Sequence, residues 1–125
     1  MNRDNSNTPP VVMLYVTAGS PEEAGRIGRT LVEERLVACV NVIPSMHAIY
    51  RWQGRIEEAQ ECVILAKTRR ERVASCIARI RALHSYECPC VVALPIAEGN
   101  PAFLDWITEQ TGPSSPPCSG DAGLW

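Results

Sequence analysis

The chain has 125 residues, a formal net charge of -2 and 46% hydrophobic residues, with six cysteines. That length suits one domain burying about two-thirds of its unfolded surface, and the hydrophobic content excludes wholesale disorder. The charge argues against a protein held to nucleic acid by electrostatics, and no apolar run approaches the ~20 residues of a membrane span.

Residues 1–10 are Asn-, Ser- and Pro-rich, and residues 112–125 are Pro-, Ser- and Gly-rich. Both read as flexible tails around a single domain spanning 11–111. The first ten residues lack the apolar stretch of a secretory signal, so a cytoplasmic protein without a membrane partner is expected. Val11 to Thr17 is a continuous β-branched and aliphatic run, the pattern of a strand buried on both faces. Ser20-Pro21-Glu22-Glu23 is a capping box with proline at the first helical position. The helix it opens carries Ala24, Ile27, Gly28, Leu31 and Val32 on one face and runs to Leu36.

Ala38 to Gln53 is strand-like, and Pro44 within it predicts a bulge. Gly54 marks a turn, and Ile56 to Thr68 returns as a second long strand. In its last part Cys62, Ile64 and Ala66 face one way and Val63, Leu65 and Lys67 the other. A two-stranded ribbon this long overhangs the domain and needs a partner surface, which points to oligomerisation. Thr68-Arg69-Arg70-Glu71 reads as a second capping box, before a helix with Val73, Cys76, Ile77, Ile80, Leu83 and His84 on one stripe. Pro89 stops it. Val91 to Ile96 is a short strand, and Asn100-Pro101 caps a last helix with Phe103, Leu104 and Ile107. The order β-α-β-β-α-β plus a C-terminal helix is the α+β ferredoxin-like sandwich.

No Gly-rich phosphate loop, HExxH or nucleophile elbow is present, so neither an enzyme nor an organic cofactor is expected. Cys39, Cys62 and Cys76 read as reduced core residues, and Cys118 falls in the tail. Cys39 would serve as a nucleophile only in an open, electropositive setting. His84, followed by Tyr86, Glu87, Cys88 and Cys90, is open to two readings. It is a soft or borderline metal site for Cu or Zn, or a histidine stabilised by a helix C-terminus. The spacing of Cys88 and Cys90 is too tight for a zinc knuckle. Lys67 is the sole lysine among twelve basic residues. It reads as a pocket cation for an anionic ligand or as a snorkelling edge residue. Tyr50, Arg51 and Trp52 place two aromatics and a guanidinium side by side, as interface anchors do.

Five segments carry a resemblance: LVEERLVACVNVIP (31–44), YRWQGRIEE (50–58), Lys67-Thr68, HSYECP (84–89) and ALPIAEGNPAFLDW (93–106). Through them, residues 11–111 resemble the CutA divalent-cation tolerance family. The resemblance implies a ferredoxin-like protomer in a homotrimer, with the long ribbons interlocking between subunits. It also implies a role in tolerance to divalent metal ions, copper in particular. Some bacterial members hold copper with a cysteine near the end of the first strand and two successive histidines. The matching positions are Val16, Leu83 and His84, so only His84 carries over. Cys88 and Cys90 stand where the family commonly has Val or Thr and Glu, and read as donors of a different soft-metal site beside His84 or as neutral drift. The family's trimer is similar to that of PII signalling proteins, which bind small ligands between subunits. On that alternative a small anionic ligand would lie in an inter-subunit cleft with Lys67, Glu57, Tyr86, Cys39 and Trp52.

Overall fold

The structure is a computed structural model that describes residues 10–112. Apart from Pro10 and Gly112, the segments read as tails, Cys118 included, lie outside the described residues. In chain order the elements are β1 (Val11–Ala18), α1 (Pro21–Glu33), β2 (Cys39–Trp52) and β3 (Arg55–Arg69). A 3-10 turn (Arg70–Arg72), α2 (Val73–Leu83), β4 (Val91–Pro95) and α3 (Pro101–Gln110) follow. The strands form one antiparallel sheet in the order β2-β3-β1-β4, the ferredoxin-like arrangement.

Strand side chains alternate between faces, so the helices decide which residues of β1 are covered. Val12, Leu14, Val16 and Ala18 are sealed against α1 and α2 together with Ile27, Leu31, Cys62, Ile64, Ala66, Cys76 and Ile80. Met13, Tyr15 and Thr17 point the other way and are only half-buried. The reading of β1 as buried on both faces is therefore corrected: both core helices lie on one side of the sheet. A smaller cluster of Val11, Ala38 and Ile107, with Phe103, Leu104 and Trp106 against it, seats α3.

Element ends also depart from the sequence reading. The first helix stops at Glu33, because Arg35 adopts a left-handed conformation at φ 60°. The Leu36 and Arg35 amides then donate back to the Leu31 and Val32 carbonyls, both at 3.0 Å, closing a Schellman motif without glycine. Thr68 does not cap a helix. It is the buried end of the strand stretch, and its hydroxyl donates to the Leu36 carbonyl at 2.6 Å. Pro44 lies at a register shift between Ile43 and Met46, as its missing N–H requires. The α3 cap is as expected, with Asn100 Oδ1 accepting from the Ala102 amide.

Gly28 marks the tightest approach of α1 to the sheet, since a Cβ there would lie 2.8 Å from Val40 Cγ2. Gly28→Ala should therefore destabilise the protein by about 1–3 kcal/mol in chemical unfolding, overriding a helix-propensity gain of ~1 kcal/mol. In a Val40→Ala background the same substitution should be neutral or stabilising. A stabilising Gly28→Ala in the parent chain would show that α1 is free to lift from β2.

Candidate functional site

Three elements meet at the C-terminal end of β1: the start of α1, the end of α2 and the segment leading into β4. Glu23 lies in the first turn of α1 and is only 7% exposed. Its neighbour Ser20 accepts the Glu23 amide proton as a capping box requires. The carboxylate, however, does not return to Ser20. Its Oε1 accepts from the Gly19 amide at 3.4 Å and its Oε2 from the Ser85 amide at 2.7 Å. Burial would raise this carboxyl above its ordinary value of 4.5, but the Ser85 amide and hydroxyl and the Gly19 amide outweigh it and hold it below.

His84, directly after α2, has a fully buried side chain. Its Nε2 lies 2.7 Å from the Thr17 carbonyl, which can only accept, and its Nδ1 takes the Tyr86 amide proton at 3.0 Å. These partners specify the neutral Nε2–H tautomer. The Glu23 Oε2 stands 3.6 Å from Nδ1, beyond hydrogen-bond length. Tyr86 covers the ring at a centroid distance of 4.6 Å.

The sequence reading grouped His84 with Cys88 and Cys90 as metal donors. A metal needs an imidazole lone pair, and here one ring nitrogen carries the proton while the other is engaged by a backbone amide. Among the described residues, no three His, Cys, Asp or Glu side chains gather into a group able to hold a metal ion. In this geometry His84 is a structural histidine that ties the end of β1 to the segment after α2. Cys88 and Cys90 are free and exposed. Partial desolvation and the Glu61 carboxylate push the Cys90 thiol up.

The residues read as a ligand cleft divide into three places. Lys67 pairs with Cys39 on one side and Met13 on the other, and its ammonium donates to Asn41 Oδ1. A groove of about 430 Å³, lined by Val32, Ala38, Cys39, Val40, Asn41 and Trp106, opens beside them. Tyr86 instead places its ring and hydroxyl over Gly19, just past the far end of β1. Gly19 is six residue steps along the chain from Met13, a span of ~20 Å, so one small ligand on a single protomer cannot touch both Lys67 and Tyr86. Glu57 lies further out, opposite Tyr50 on the ribbon. Cys39 is half-buried rather than in the core. Desolvation raises its thiol although Lys67 opposes the effect, which removes the activated-nucleophile reading. Tyr50, Arg51 and Trp52 are all exposed near the ribbon tip.

The profile of the CutA1 divalent ion tolerance protein family matches residues 12–110. The chain belongs to the CutA family. The divalent-cation tolerance protein CutA of Thermus thermophilus is 49% identical over 100 residues, which is 80% of this chain and 97% of that one. Its solved structure has a TM-score of 0.80 at 48% identity, covering 82% of this chain and 99% of that chain. CutA1 from Oryza sativa gives a TM-score of 0.81 at 33% identity, covering 86% and 99%. This CutA-family chain is therefore a divalent-cation tolerance protein, and the departures described above are departures within that fold.

Glu23 was missed as a site residue because a capping box already accounts for a glutamate at that spacing. Its second partner, Ser85, is 62 residues away and left no local signal. Glu23→Gln should lower stability at neutral pH by about 1–3 kcal/mol. Since the folded carboxyl titrates below 4.5, its contribution is present above that pH and lost as pH falls through the folded value. The variant should accordingly show a flatter fall of unfolding free energy in acid than the parent chain. Imidazole ¹⁵N spectra of His84 should report the Nε2–H tautomer near neutral pH, unmoved by zinc. A zinc-dependent shift of that resonance would return His84 to the ligand set.

Proposed function

We infer that this protein works as a non-catalytic homotrimer in the cytoplasm, responding to divalent metal ions. The observation carrying the trimer is the uncovered outer face of the sheet. Along β1, β3 and β4 that face presents Met13, Tyr15, Leu65, Val92 and Leu94, with Ile43 on β2. The ribbon adds Ile49 at 66%, Trp52 at 57% and Ile56 at 66% exposure. Apolar surface of this extent on a small chain is the mark of an interface. In a three-fold ring each contact is heterologous, the face and ribbon of one protomer meeting a different patch of the next until the ring closes. Tyr50, Arg51 and Trp52 are the anchors of that contact.

The finer metal reading, contact with copper or zinc, keeps Cys88 and Cys90 as donors and loses His84. Free thiols at all five described cysteines suit a reducing compartment. A second reading, a PII-like trimer holding a small anionic ligand between protomers, is supported by the groove beside Lys67 and Asn41. In that reading Tyr86 and Glu57 would come from neighbouring protomers, which their separation from Lys67 within one protomer demands.

Light scattering at micromolar concentration should give three times the 13.7 kDa protomer mass. Trp52→Ala should weaken assembly by about 2 kcal/mol. A monodisperse protomer would overturn the assembly reading. Cells lacking the chain should grow less well in elevated zinc or copper, and unchanged growth would overturn the metal-response reading.

A further inference from the structure

The groove of about 430 Å³ beside the start of β2 has a make-up that restricts what can fill it. The strand order puts β2 at an edge of the sheet, and four consecutive residues, Ala38 to Asn41, line the groove. Successive strand side chains point to opposite faces, so a groove touching all four runs along the free edge of β2. Backbone groups on that edge are not taken up by β3 and can meet a ligand. Val32 of α1, which is 38% exposed, and Trp106 of α3 supply the apolar flanks. The Trp106 ring stacks on Phe103 at a centroid distance of 5.5 Å, which holds an aromatic surface in place.

The polar end is built from two side chains. The Lys67 ammonium donates to Asn41 Oδ1. An ammonium can only donate, so this bond fixes which end of the amide faces Lys67 and leaves the Asn41 Nδ2 protons for another acceptor. The ammonium keeps two further protons of its own. Among the described residues Lys67 forms no ion pair, and no Asp or Glu lines this groove. Desolvation pushes the Cys39 thiol up, so it brings no negative charge at neutral pH. The charge balance therefore calls for one anionic group that accepts from Asn41 Nδ2 and Lys67 Nζ together. The rest of such a ligand would lie along Val32, Val40 and Trp106 and has to be apolar. A lone ammonium without a glycine-rich nest does not match a polyphosphate.

We propose that this groove binds a small monocarboxylate with an aromatic or branched apolar body, its carboxylate held by Asn41 and Lys67. The site rests on the anionic-ligand reading above and specifies the class of ligand. Its volume falls within the ~300–1,000 Å³ of ordinary small-molecule pockets. Binding is non-covalent, and no proton or electron is exchanged.

The test titrates phenylacetate into the full-length protein, followed by calorimetry and by ¹H–¹⁵N spectra of the Asn41 side-chain amide and the Trp106 indole. A dissociation constant of about 1 mM or below is expected for a ligand of this size, with both resonances shifting. Lys67→Gln should weaken binding by about 10-fold or more. Asn41→Asp keeps an acceptor for Lys67 but replaces the amide protons with negative charge, and should abolish binding. Asn41 is exposed and Lys67 half-buried, so both variants are expected to fold as the parent does, which circular dichroism checks. Phenylethylamine, with the same ring and the opposite charge, should not bind. Unchanged phenylacetate affinity in Asn41→Asp, or equal binding of phenylethylamine, overturns the site. A parent chain that takes up pyrophosphate through Lys67 but not phenylacetate overturns the monocarboxylate class alone. One that binds neither, as when a neighbouring protomer closes the groove, overturns the anionic-ligand reading as well.

Discussion

A four-stranded sheet with its core helices on one side has a second face to dispose of. Val12, Leu14, Val16 and Ala18 disappear beneath α1 and α2, while Met13, Tyr15, Leu65, Val92 and Leu94 look outward. Among the described residues no further element covers that face, since α3 is seated on the separate cluster around Val11, Ala38 and Ile107. Burial of apolar surface is the main favourable term in folding, so an uncovered apolar face is stability that only association can supply. The ribbon carries the same logic outward: beyond the bulge at Pro44 its two strands pair with each other, leaving Ile49 and Ile56 exposed. Assembly is therefore a consequence of the fold rather than an addition to it.

The Glu23–His84 staple solves a different problem. The end of β1, the start of α1 and the exit from α2 converge there, and each brings backbone groups that must be satisfied away from water. One carboxylate takes two amides and one imidazole ties an amide to a carbonyl. A histidine employed in this way has no lone pair left for a metal. The staple's role is mechanical: it holds the start of the segment that leads from α2 into β4.

Much of the fold was legible because it is written in short-range patterns. The alternation of Cys62, Ile64 and Ala66, the Ser20-Pro21 start of α1 and the Asn100-Pro101 start of α3 each act through neighbours within a few residues. The bulge followed from Pro44 lacking a donor. Thr68 misled because a threonine three residues before a glutamate satisfies the capping pattern whether or not its hydroxyl is free. Here a carbonyl 32 residues away had already claimed it. Arg35 gave no warning of a left-handed turn, since glycine is the usual signal for one.

By itself the sequence determined the order of the elements, the hydrophobic stripe of each helix and the family to which the chain belongs. Those depend on periodicity and on motifs that are contiguous in the chain. Charge and cysteine count framed the chemistry but did not assign it. Only the tertiary structure decided that His84 is buried and fully bonded, that Lys67 and Tyr86 stand at opposite ends of β1, and that Cys88 and Cys90 remain free and exposed. A side chain's chemistry is set by which partners fill its lone pairs and donors, and those partners come from distant parts of the chain.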